Sequence, residues 1–184
     1  MKNKEGILLF LYKNNRAINN QQIKVIFNGE ILINIGSHIL LSTENYDINT
    51  IFNKLQGLNT GQAIVTGEKY DKLISHCVLN NFQIKDIKHF DEMKEEDRDY
   101  INELISELKR PNISLNLKKL FLRELRSELR YIEYEEYNNI YSVTIKSPSG
   151  NEVVFSRNNR ITFNEMDLDF VKELILLFQE KEYK

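Results

Sequence analysis

Cysteine is almost missing from this chain: Cys77 stands alone among 184 residues. One cysteine cannot form an intramolecular disulfide, so a disulfide scaffold is excluded and a reducing compartment is the natural setting. Long apolar runs are missing too. The longest near the N-terminus is Ile7 to Tyr12. It is too short for a membrane span, and no small-residue cleavage site follows it. The expected location is the cytoplasm, with no membrane partner. Only two prolines and seven glycines occur, and no Gly/Ser/Pro-rich linker, repeat or low-complexity tract breaks the chain. An excess of either charge is also lacking. The formal net charge is -2, so any pull toward an anionic partner has to come from local clustering.

What is present is ordinary globular composition, with 41% hydrophobic and 28% charged residues. A chain of this length removes roughly 70% of its unfolded surface from water, so its core needs no metal or disulfide support. Asn, Ile and Lys are abundant, and lysine outnumbers arginine 17 to 8. We read this as the codon bias of an AT-rich bacterial or phage genome. Against a lysine background, arginine positions stand out for their planar, bidentate fork. Five of the eight lie between Arg123 and Arg160.

The pattern predicts an α+β fold. In the first half, Ile7–Tyr12 reads as a buried strand. Ile23, Val25 and Phe27 alternate with polar residues, Asn28-Gly29 follows, and Ile31, Ile33 and Ile35 alternate again, the sequence signal of a β-hairpin. A further strand follows at Ile39–Leu41. Residues 45–55 carry Ile48, Phe52 and Leu55 at helical spacing, with Gly57 as a stop. Ala63–Val65 reads as a strand. Thr66 opens a helix bearing Tyr70, Leu73, Ile74 and Cys77, and Phe82–Ile87 returns as a strand, a β-α-β unit whose strands are expected to be parallel.

The second half reads helix, helix, hairpin, helix. Residues 94–109 place Ile101, Leu104, Ile105 and Leu108 on one face, with Asp91 as the expected cap, and Arg110-Pro111 ends the helix. Ser114 caps the next helix. Tyr141–Lys146 and Glu152–Phe155 flank a turn at 147–150. The last helix, 165–180, buries Leu168, Val171, Leu174, Ile175 and Phe178, a face broad enough for the domain or for a second copy in a homodimer. A division into residues 1–90 and 91–184 is suggested near residue 90, although without a linker one continuous domain fits equally.

The segment from Ser114 to Tyr134 carries the functional signal. Lys119, Arg123, Arg126 and Arg130 recur at i, i+4, i+7 and i+11 and fall within roughly 60° on a helix. Like charges at these spacings repel, and only Arg130 has an acid within reach on its own helix, Glu133. Carboxylates must come from elsewhere. One source is the acidic stripe Glu96, Asp99, Glu103 and Glu107 of the preceding helix, in surface pairs worth about 0–1 kcal/mol each. The other is an external acidic macromolecule, a protein more readily than a nucleic acid. A non-catalytic regulator or inhibitor is therefore the leading expectation, with binding residues Lys119, Arg123, Arg126, Arg130, Arg157 and Arg160.

Two rivals belong to other classes. In a winged-helix DNA binder, the basic helix would enter the major groove, the hairpin would be the wing, and Arg157 and Arg160 would meet phosphates. Residues 115–137 nevertheless sum to zero charge, five cations against five acids, where a DNA-binding face shows local positive excess. A metal-dependent nuclease would draw on Asp86, Glu92 and Lys94, which needs acids on adjacent strands. Cys77 reads as a small core hydrophobe. His38, His76 and His89 lack metal-ligand spacing, and Thr66-Gly67 is a cap rather than a phosphate loop. No catalytic residue, metal ligand or cofactor is expected.

Overall fold

The computed structural model describes residues 3–11, 16–27, 29–58 and 60–179, with side chains described from residue 21 onward within the first helix. The elements in chain order are β1 (Asn3–Leu11), α1 (Arg16–Ile26), β2 (Ile31–Ile35), β3 (His38–Ser42), α2 (Ile48–Leu55), β4 (Thr60–Gln62), α3 (Gly67–Leu79), β5 (Gln83–His89), α4 (Glu95–Leu108), α5 (Leu115–Glu135), β6 (Ile140–Lys146), β7 (Glu152–Ser156), β8 (Arg160–Asn164), a 3₁₀ turn (Glu165–Asp167) and α6 (Leu168–Leu176). The fold class is α+β. Among the described residues, no helix is long and apolar enough to cross a membrane.

Two compact units emerge, one made of residues 1–64 and 158–184, the other of 65–157. This grouping differs from a division near residue 90. Strand pairing draws the chain on both sides of that point together: β5, before it, bonds along its length to β6, after it.

In the first unit β1 is the central strand. One edge pairs antiparallel with β3, from Gly6–Ser42 to Phe10–His38. The other edge is shared: β8 pairs with Asn3–Ile7 and β4 with Leu9–Leu11. Alternation places Ile7, Leu9 and Leu11 on one face, where they meet Ile39 and Leu41 of β3, Ile23 of α1, Phe27 just after it, and Ile51 and Leu55 of α2. α6 packs on β2 and β8 and buries Val171, Leu174 and Ile175.

Several expectations are corrected here. Residues 23–26 belong to helix α1 and Phe27 to the turn that follows it, not to a hairpin strand; Asn28, like Tyr12 and Glu180, lies outside the described residues. Ile23 and Phe27 are buried four residues apart, while Val25 between them is 81% exposed. Apolar residues at 23, 25, 26 and 27 satisfy both periods, and packing under the sheet chose the helical one. The hairpin lies one step later, where β2 and β3 are joined by Gly36-Ser37 with Gly36 at φ +54°, the backbone that a two-residue hairpin loop needs at its first position. The strand placed at Ala63–Val65 is Thr60–Gln62 instead. The order β4–α3–β5 stands, but β4 runs antiparallel to β1 and β5 antiparallel to β6, so the two strands do not form a parallel pair. Strand β8 is additional, with Ile161 and Phe163 buried.

In the second unit β5, β6 and β7 form an antiparallel meander. α3 lies on β5 and β6, and α5 packs against α3 and α4. Tyr70 of α3 is 1% exposed. Its hydroxyl donates to the Tyr141 carbonyl at 2.9 Å and reaches that of Phe155 at 3.3 Å. The position preceding α4 is Lys94, not Asp91, and no side chain caps it. Asp91 is held by Asn138 instead: its N–H donates to Asn138 Oδ1, and its carbonyl accepts from Asn138 Nδ2, both at 3.0 Å.

Candidate functional site on the long helix

α5 is the longest helix, at 21 residues. Its start is fixed locally: Ser114 Oγ accepts from the Leu117 N–H at 3.3 Å. Leu, Arg, Lys and Glu, all strong helix formers, fill its length. One stripe, Leu122, Leu125, Leu129 and Ile132, is buried and turns the rest of the circumference outward.

The basic stripe divides in two. Lys119 and Arg123 are exposed and have no carboxylate within ion-pair distance among the described residues. Arg126 and Arg130 both reach Oδ2 of Asp71 on α3, at 2.8 and 2.7 Å. Asp71 is only 14% exposed, and its carboxylate holds the Arg126 guanidinium more firmly in its charged form. Two cations thus share one anion. The acidic stripe of α4 does not supply the counter-charge. Glu107 pairs with Arg110, Asp99 stands 4.0 Å from Arg98, and neither Glu96 nor Glu103 meets a cation of α5. α4 packs against α5 and buries Ile101, Leu104 and Ile105, and among the described residues none of its acidic stripe forms an ion pair with a cation of α5. Asp71 carries no distinguishing sequence signal, since an acid near the start of a helix is common for dipole reasons alone.

Arg157 and Arg160 are each engaged within their own unit. Arg157 lies over the Phe90 ring at 5.7 Å, and Phe90 packs edge-on to Tyr141 at 5.1 Å. Arg160 sits 3.5 Å from Glu5 on the neighbouring strand.

The remaining candidates resolve into packing. Cys77 is buried and in no disulfide. Gly67, at the first turn of α3, faces the Glu133 carboxylate of α5, and a Cβ there would collide with it. The chain's own anion therefore occupies the helix end that a phosphate would need. Asp86 is 3.9 Å from Lys88, and Lys94 pairs with Glu136. No cluster of three potential metal ligands forms among the described residues.

A second feature of α5 was legible in the sequence and overlooked. Leu117, Leu120, Glu124, Ser127, Tyr131 and Tyr134 repeat at alternating spacings of three and four. They lie opposite the buried stripe, with Leu117, Leu120, Tyr131 and Tyr134 exposed by 47, 36, 49 and 69%. Compared with known proteins, the chain matches no protein-family model, no curated protein and no solved structure.

Proposed function

We propose that this is a non-catalytic macromolecule-binding protein of regulator or inhibitor type, acting in the cytoplasm of a bacterial or phage system, and that it binds an acidic protein surface through the outer face of α5. The observation that carries this reading is the uncompensated charge at Lys119 and Arg123, on a rigid helix whose outward side also presents leucine and tyrosine. Arg130 adds to it, since Asp71 answers two guanidiniums with one carboxylate. Arginine and tyrosine are the residues that most often dominate binding energy at protein interfaces, and a free guanidinium fork suits a carboxylate in bidentate fashion. Arg157 and Arg160 take edge roles, because each already has a partner.

The test is affinity capture at low salt, wild type against Lys119→Glu/Arg123→Glu, followed by binding of the purified partner. The reading requires an acidic protein that the wild type binds and the variant loses by tenfold or more. Nucleic acid lost in its place, seen as a fall in the 260/280 nm ratio, transfers the site to DNA or RNA binding.

A further inference from the structure

We infer that the outer face of α5 is a self-association surface, on which a second copy of this chain docks its own α5 in parallel about a two-fold axis. The inference rests on the reading of α5 as a contact helix and names its occupant.

Leu117, Leu120, Glu124, Ser127, Tyr131 and Tyr134 fall at the a and d positions of a heptad seam. A seam of this kind packs against another helix, and here the buried stripe on the opposite side already serves α3 and α4. The charges flanking the seam are segregated by side. Arg123 and Arg130 line one flank; Glu128 and Glu135 line the other. In a parallel pair, the residue on one flank meets the residue five positions on along the opposite flank of the partner helix. Arg123 therefore faces Glu128 of the second copy, and Arg130 faces Glu135. An antiparallel pair sets arginine against arginine and glutamate against glutamate, so the charge pattern itself selects the parallel arrangement.

Glu128 supplies an independent observation. Its carboxyl is half-buried and has no cation within ion-pair distance among the described residues. Burial, with Asp97 and Glu136 nearby, pushes it above the usual carboxylate range. An arginine from a second copy is the counter-charge that this position lacks. Arg123 lacks a carboxylate in the same way, so each copy supplies what the other needs, as an isologous interface requires.

The seam also sets the strength. It spans about 26 Å at 1.5 Å per residue, a small interface, and Glu124 and Ser127 each meet their own copy in a polar layer. Such layers cost stability and fix register. The association is therefore weak, with Kd on the order of tens of micromolar.

Sedimentation of the full chain up to about 200 µM tests this. The wild type should rise from 21.8 kDa toward twice that mass. Leu120→Asp, at an exposed position, should remain monomeric, and Arg123→Glu should weaken dimerisation at least tenfold. A mixture of Arg123→Glu with Glu128→Arg should recover association. Ser127→Cys reads the orientation. In the parallel pair residue 127 faces its own copy, so this thiol should oxidise rapidly to a covalent dimer, while Asn102→Cys, exposed on α4, should not. Native Cys77 is buried and does not compete. A wild type monomeric at the highest concentration overturns the inference, as does a Ser127→Cys chain that cross-links no faster than Asn102→Cys. A monomer that still loses a captured acidic protein on Lys119→Glu/Arg123→Glu overturns the second copy alone and leaves the binding reading standing. A dimer that captures no acidic protein supports the second copy and removes the separate partner.

Discussion

Single residues explain where polar atoms go in the second unit. The Tyr70 hydroxyl is buried beneath α3 and ties that helix to two strands of the sheet by donating to backbone carbonyls of β6 and β7. Burial pushes its phenol well above the usual tyrosine range, so it stays a neutral donor. Tyr70→Phe keeps the ring and removes the donor; the variant should be less stable by about 1 kcal/mol in urea unfolding. His89 shows the opposite situation: neither ring nitrogen has a hydrogen-bond partner among the described residues, and burial lowers its pKa from 6.5 despite the nearby Glu136. The unfolded chain therefore binds this proton more readily than the folded one, and stability falls as pH drops below about 6.5. Glu128 has the reverse sign. Its raised pKa favours folding below 4.5, and that contribution is lost as pH rises through the folded value. Thermal melts between about pH 4 and 8 should separate the two: His89→Leu removes the loss on acidification, and Glu128→Gln removes the loss on the alkaline side.

Whole elements differ in how much of them the sequence revealed. α5 was legible at both ends and along its buried face, because cap, propensity and a single apolar period agree. Its stability is correspondingly predictable. Ser114→Ala should cost about 1 kcal/mol, and Leu125→Ala, at a fully buried position, about 3 kcal/mol, both read by denaturant unfolding. The end of α1 was misread because the apolar residues from 23 to 27 fit two periods, and only packing of Ile23 and Phe27 against the sheet distinguishes them. β8 was missed for a related reason: five residues with two buried side chains, Ile161 and Phe163, give a weak local signal, and the strand exists because β1 offers it an edge. The four basic residues share one helix, as their spacing implies, but the spacing gives no sign of Asp71, because an ion pair between α5 and α3 depends on how two helices distant in sequence pack.

At the scale of the molecule, the first unit is closed by a segment that returns from beyond the second. β8 covers the Asn3–Ile7 edge of β1, and α6 packs on β2 and β8. Removing residues 158–184 strips both from a unit whose remaining part ends at residue 64. Chains truncated after Arg157 should lose amide-exchange protection throughout β1–β3. The sequence by itself determined the α+β class, the lone unbridged cysteine, the course of α5 and the arrangement of its charges, because these follow from composition and from periodicity within one element. Only the tertiary structure decided the antiparallel partners of β4 and β5, the helical state of residues 23–26, and the division of the basic stripe into Arg126 and Arg130, answered by Asp71, and Lys119 and Arg123, left facing solvent. Each of these depends on contacts between residues far apart in the chain, such as Asp71 with Arg130 and Gly6 with Ile161, whose energies no local pattern encodes.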